Sequence, residues 1–263
     1  MIVHLTGDWG PGRVRTSWTS STRAIVPEVE QLVERTWSGA VTQPGIQLFD
    51  GPLCRLESWR ATGEGLHLVL SPTSYKAFFG TNLHNPHLAD HYGSAILANP
   101  VGVSAALISS DGFLMFGRRN ASVAYYPHKL HPFAGAIEPR EDLDVFDEVR
   151  RELREELSLD PHELADIRCT GFVEDAALRQ PELIFAVRAT RARAEVEMQV
   201  DRTEHRGSWS MPARRAEVER ALSEPGDFTP VAIASLLLWG RLEFGEDWFV
   251  THARLFRYDA TVS

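Results

Sequence analysis

Three features of this 263-residue chain predict an α/β protein. Short apolar runs bounded by Gly, Pro, Asn or Asp recur along its length, with helical stretches between them. One stretch near residues 144–157 carries an apolar ladder beside an acidic one. The composition, 43% hydrophobic and 24% charged, is that of an ordinary globular protein without a low-complexity tract. The length suits one large domain, or a core of about 150 residues plus a smaller one.

Read in order, Ile2 to Leu5 is a short strand. Pro27 to Trp37 is a helix with Val29, Leu32, Val33 and Thr36 on one side. Leu53 to Arg60 and Leu66 to Leu70 form a hairpin around Ala-Thr-Gly-Glu-Gly, whose glycines suit the turn. Pro100 opens a second unit, so the chain divides into an N-terminal α+β domain of residues 1–99 and a domain of residues 100–263. Val101 to Ile108 and Phe113 to Phe116 make a buried hairpin across Ser109-Ser110-Asp111-Gly112, leading to Arg118 and Arg119. Tyr125 to Phe133 approaches a Gly-permitted turn and the acidic helix. Ile167 to Val173 and Glu182 to Ala189 are strands. Ala213 to Leu222 and Pro230 to Leu242 are helices, the latter apolar enough to be buried. No internal repeat is evident.

Several function classes are disfavoured at once. A formal net charge of -9 argues against a non-specific nucleic-acid binder or a binder of anionic membranes, and points to a small ligand. Cys54 and Cys169 are the only cysteines, so neither a disulfide scaffold nor a zinc site is supported, and two free thiols are expected. The first residues lack a signal peptide's apolar run, and Val231 to Trp239 is too short to span a bilayer, so a cytoplasmic protein is expected.

The chemistry is declared between Ala134 and Leu159. At about 100° per residue, Asp144, Glu148, Glu152 and Glu156 stack at i,i+4, with Glu155 on the same side. Val145, Val149, Leu153 and Leu157 form the apolar ladder. Stacked acids repel unless water, Arg or a cation compensates, and Arg151 with Glu155 is itself a favourable pair. An acidic helix is most often a solvated face. What favours a cation here is the preceding Ala134-Gly135-Ala136-Ile137-Glu138-Pro139-Arg140-Glu141, a strand end breaking into a turn where Gly135 lets a backbone carbonyl approach closely.

These residues resemble the Nudix box, Gly-x5-Glu-x7-Arg-Glu-U-x-Glu-Glu-x-Gly-U, where U is aliphatic. Gly135 and Glu141 match the front; Arg151, Glu152, Leu153, Glu155, Glu156 and Leu159 match the second half. Nine residues rather than seven separate Glu141 from Arg151, which enlarges the loop before the helix, and Ser158 replaces the last Gly. Ser74 to Asn82, Asn99 to Leu107 and Phe113 to Arg119 further resemble the mammalian and plant Nudix subfamily that hydrolyses UDP-glucose and UDP-galactose.

The resemblance implies an α/β/α sandwich with a mixed sheet. It also implies a Mg²⁺ ion, or Mn²⁺, held by the Gly135 carbonyl, Glu152, Glu155 and Glu156, with Arg151 fixing a box acid. Arg118 and Arg119 are candidates for phosphate, and Tyr75, Thr81 and Asn82 for the nucleoside, since an aromatic face stacks on uracil and an Asn amide matches its imide edge. Against these stand a surface Arg ending a strand and a packing motif between domains. Glu152 is the preferred general base or ligand, with Glu174, Asp175, Glu182 and Glu204 as candidates from distant loops, each more often a solvated surface acid; His128 and His131 are set aside as partly exposed structural residues. The leading expectation is a UDP-sugar pyrophosphatase acting on a small nucleotide sugar, with a homodimer implied. An ADP-ribose or other nucleoside-diphosphate pyrophosphatase and a non-catalytic nucleotide-binding protein are the alternatives.

Overall fold

The structure is a computed structural model that describes residues 1–42 and 48–256, the side chain of Leu255 excepted. The strands are β1 (Ile2–Trp9), β2 (Val14–Trp18), β3 (Pro52–Thr62), β4 (Gly65–Ser74), β5 (Gly102–Ile108), β6 (Phe113–Arg119), β7 (Leu130–His131), β8 (Phe133–Ala136), β9 (Leu164–Asp175), β10 (Gln180–Ala189) and β11 (His205–Pro212). The helices are α1 (Pro27–Val41), α2 (Tyr75–Phe78), α3 (Leu88–Tyr92), α4 (Val145–Leu157), α5 (Arg193–Glu197), α6 (Arg215–Ser223), α7 (Pro230–Phe244) and α8 (Glu246–Ala253).

The large sheet runs β1-β9-β10-β5-β6-β11, with β8 paired to β5 and β7 to β6. It is mixed: β10 lies parallel to β5, and its other named pairings are antiparallel. The two-residue side-chain period of a strand separates two cores. On β5, Val103, Ala105 and Leu107 meet Phe146, Val149, Leu153 and Leu157 of α4. Ala106 and Ile108 face the other way, toward Ala234, Leu237 and Leu238 of α7. Helices therefore cover both faces, and the α/β/α sandwich is present. Helix α7 is buried from Val231 to Gly240, as its apolar sequence requires.

A small sheet, β2-β4-β3, packs beside α4. Its Val14, Cys54, Leu66, Leu68 and Leu70 belong to the same core as the apolar ladder of α4. Backbone bonds join the parts: Cys54 N–H donates to Ile137 O at 2.8 Å, Ile137 N–H to Val101 O at 2.9 Å, and Val101 N–H to Cys54 O at 2.9 Å. Elements from residues 1–99 and 100–263 thus share one core, and β1 lies inside the large sheet against β9. Cys54 and Cys169 are buried free thiols. Among the described residues no helix is long and apolar enough to cross a membrane.

Both ends of α4 explain the acidic ladder. Asp144 is the N-cap rather than a cleft residue, its carboxylate accepting from Phe146 N–H at 2.8 Å. Ser158 takes the left-handed conformation, φ 52°, that a Gly would adopt, and its N–H donates to Arg154 O at 2.9 Å. Glu148 is buried against Arg140 and Arg151, which neutralise it.

Candidate active site

Helix α4 and strand β8 meet at one close approach. A Cβ built on Gly135 would lie 2.0 Å from Glu152 Oε1, so only a glycine lets this carboxylate rest on the strand. Two further glycines do the same on neighbouring strands. Gly102 on β5 leaves room for Glu182 of β10, whose Oε2 would be 2.2 Å from an added Cβ, and Gly117 on β6 leaves room for the ring of His205, at 2.3 Å.

A cavity of about 490 Å³ opens over this region. Glu152, Glu155, Glu182, Asp175 and Glu204 line it with Arg151, Arg119, His131, Tyr75 and Gly135. Of the expected site residues, six line the cavity: Gly135, Arg151, Glu152, Glu155, Arg119 and Tyr75. Of the four acids outside the box weighed as bases, Asp175, Glu182 and Glu204 line it; Glu174 instead contacts His4 at 3.1 Å.

Arg151 reaches three acids, Glu148 at 3.0 Å, Glu152 at 2.5 Å and Glu155 at 2.8 Å. Burial opposes its charge, yet the Glu152 and Glu148 carboxylates outweigh burial and raise its pKa. Despite that partner, burial pushes Glu152 up to about 8, with Glu156 and Glu155 adding repulsion. Burial likewise pushes Glu182 up to about 8 against the Ser104 hydroxyl, which donates to it at 2.6 Å. Asp175 Oδ2 accepts from Tyr126 O–H at 2.8 Å, which holds the loop after β6 against β9. Arg119 donates from Nε to Tyr125 O at 3.1 Å and lies 4.5 Å over the Tyr125 ring.

The other expected residues lie elsewhere. Arg118 follows the strand alternation to the opposite face, donating to His128 O at 3.0 Å and meeting Asp227 at 3.5 Å. Thr81 and Asn82 are fully buried. Thr81 O–H donates to Ala77 O at 2.6 Å, while Asn82 Nδ2 donates to Leu178 O and Arg179 O, both at 3.0 Å. Glu141 is exposed in a turn outside the cavity lining. Glu156 lies behind the wall, accepting from Ala134 N–H at 3.1 Å and facing His205 at 3.3 Å. His205 was not legible beforehand, because His205-Arg206-Gly207-Ser208 lacks the apolar alternation that marks a strand.

The donor set suits a hard divalent cation: the lining offers carboxylates and the backbone at Gly135, and no thiol. Buried acids crowded enough to hold protons near neutrality are what a cation would relieve. Among the described residues, the trio whose ligand atoms lie within 4.8 Å of one another is the superficial Asp160, His162 and Glu163. The cavity acids are spread more widely, in keeping with Mg²⁺ sites that use one or two carboxylates and complete the shell with water and phosphate.

No family model matches the chain. Curated relatives do. Uridine diphosphate glucose pyrophosphatase NUDT22 of Mus musculus is 33% identical over 174 residues, covering 54% of this chain and 56% of the relative. The Homo sapiens protein of the same name is 35% identical over 132 residues, covering 45% and 43%. The chain is similar to these uridine diphosphate glucose pyrophosphatases. It spans about half the length of the curated relatives it matches. Among solved structures, a Nudix hydrolase from Nitrosomonas europaea overlaps 53% of this chain and 87% of its own at 17% identity, with a TM-score of 0.37. A C. elegans Ap4A hydrolase overlaps 59% and 97% at 16% identity and 0.37. Such loose overlaps carry no argument about activity.

Proposed function

We propose that the chain is a Mg²⁺-dependent Nudix pyrophosphatase that hydrolyses UDP-glucose or UDP-galactose to UMP and sugar 1-phosphate. The observation that carries this reading is the seating of Glu152 on Gly135 within an acid-lined cavity that also holds Arg119. The name borne by the mouse and human relatives supplies the substrate class.

A diphosphate resists attack because its own charge repels a nucleophile. Glu152, Glu155 and Glu156, with the Gly135 carbonyl, would hold the Mg²⁺, Mn²⁺ being able to replace it. When bound, the cation supplies charge neutralisation and lowers the pKa of water. Arg151 fixes the rotamer of Glu152. Arg119 donates to phosphate oxygens, its guanidinium steadied on Tyr125. Glu152 or Glu182, both of which line the cavity, takes the proton from the attacking water. Tyr75 offers the base an aromatic face. The ligand is a small nucleotide sugar rather than nucleic acid or membrane, in keeping with the net charge of -9. A cytoplasmic homodimer is the accompanying proposal, with light scattering as its check.

One observation favours a second reading, an ADP-ribose or related pyrophosphatase. The Asn82 amide, which would read uracil, is already bonded to Leu178 O and Arg179 O. The test is to incubate the protein and Mg²⁺ with UDP-glucose, UDP-galactose, ADP-ribose and NADH and to separate the products. UMP from a UDP-sugar is expected. No UMP would sink the leading reading, and turnover of ADP-ribose alone would install the second.

A further inference from the structure

We propose that His205 is the positioning residue for Glu156, holding that carboxylate in the orientation from which it meets the cation; the proposal rests on the metal site described above. The two are 49 positions apart in sequence and are both buried. His205 Nε2 lies 3.3 Å from Glu156 Oε1, while Glu156 Oε2 accepts from Ala134 N–H at 3.1 Å. Each carboxylate oxygen is therefore held by a different strand, β11 on one side and β8 on the other. A carboxylate has about four lone-pair directions, so two remain for a cation after these bonds.

Three local features aim the histidine. The β11–β6 ladder slips register between His205 and Gly207, the kind of irregularity that re-aims a side chain next to a site. Gly117 on β6 supplies the space, since a Cβ there would lie 2.3 Å from His205 Nδ1. Phe133 of β8 closes against the ring edge-on, with centroids 5.5 Å apart and planes at 79°. Nδ1 is buried without a partner, so the tautomer with its proton on Nε2 directs the ring's one donor at Glu156.

The backbone repeats the link. Asp201 N–H donates to the Glu156 carbonyl at 2.7 Å, and His205 N–H donates to Asp201 O at 3.3 Å. Thr203 and Glu204, between them in the chain, line the cavity. His205 thus ties the C-terminal turn of α4 to the loop that brings Glu204 to the site.

A ring that merely fills space could be replaced by another ring, whereas a positioning residue needs its donor. The experiment measures Mn²⁺ binding by titration calorimetry without nucleotide, on wild type, His205→Phe, His205→Gln and Gly117→Ala, with thermal midpoints measured alongside. Outer-shell partners of metal ligands typically contribute about 10- to 100-fold in affinity. His205→Phe and Gly117→Ala are expected to weaken Mn²⁺ by at least about 10-fold, while His205→Gln, which keeps an N–H donor, stays within about threefold of wild type. Gly117→Ala keeps the test open should His205→Phe fail to fold. Wild-type affinity in both His205→Phe and Gly117→Ala, or a loss in His205→Gln equal to that in His205→Phe, would overturn the positioning role alone. A wild type that takes up no Mn²⁺ would overturn the metal reading and this proposal with it.

Discussion

The Cβ that Gly135 lacks would sit 2.0 Å from Oε1 of Glu152, so a strand backbone and a helix carboxylate occupy what is elsewhere the space of a side chain. Gly135→Ala must then either push Glu152 aside or move α4 off β8. Because a misplacement of about 1 Å at a reacting centre costs roughly 100-fold, kcat/KM on UDP-glucose should fall about that far while the circular dichroism spectrum is kept. An alanine variant of undiminished activity would remove Glu152 from the chemistry.

Glu156→Gln keeps size but loses a negative charge. It also replaces one oxygen with a donor-only NH2, so the side chain can no longer accept at both the Ala134 N–H and the His205 positions. Turnover is expected to be abolished in a folded protein, read by product chromatography together with the thermal midpoint. Full activity would contradict the assignment of Glu156 to the cation.

Arg119 and Arg118 are adjacent in sequence but face opposite sides of β6. Arg119→Ala should lower kcat/KM by about 10- to 100-fold, in line with loss of a charge-assisted phosphate contact. Arg118→Ala removes the contacts to His128 O and Asp227 and should stay within about threefold. Equal losses in steady-state assays would mean that strand alternation does not separate their roles.

Glu152 and Glu182 bind protons more tightly folded than unfolded, with values near 8 against 4.5. For such a group the unfolded chain loses its proton first as pH rises. The stability of the metal-free protein should therefore fall between about pH 4.5 and 8, and be level below that window with respect to these groups. Glu182→Gln should raise the metal-free thermal midpoint at pH 8 relative to wild type and gain little at pH 4.5. A gain independent of pH would show that charge is not what strains the site.

Asn82 spends its amide inside the fold. Asn82→Ala leaves the carbonyls of Leu178 and Arg179 without that donor and should destabilise the protein by about 1–3 kcal/mol in urea unfolding, with KM for UDP-glucose little changed. A raised KM at unchanged stability would return Asn82 to the nucleoside.

The parts of this molecule that follow a local rule were legible in the sequence. The ladder of α4 was readable because Val145, Val149, Leu153 and Leu157 keep helical spacing against one sheet. Residues set by pairing across the chain were not. Arg118 and Arg119 could not be told apart without knowing which face of β6 meets α4. Likewise, no spacing links His205 to Gly117 or Glu182 to Gly102, since these juxtapositions arise from the neighbouring strands β11 and β6, and β10 and β5. Tyr75, Thr81 and Asn82 read equally as nucleoside contacts or as a packing motif, and Thr81 and Asn82 bond within the fold. Residues 1–99 read as a separate unit because Pro100 interrupts the pattern, yet Cys54 and Leu68 complete the core beneath α4.

Strand β1 closes the large sheet by pairing Ile2 with Glu174, a partner far along the chain. As the polypeptide leaves the ribosome, that strand must therefore wait unpaired until β9 emerges, and the large loop it closes adds to the entropy of ordering. The first strand of the sheet that carries the cavity thus has no partner until residues 164–175 have been made.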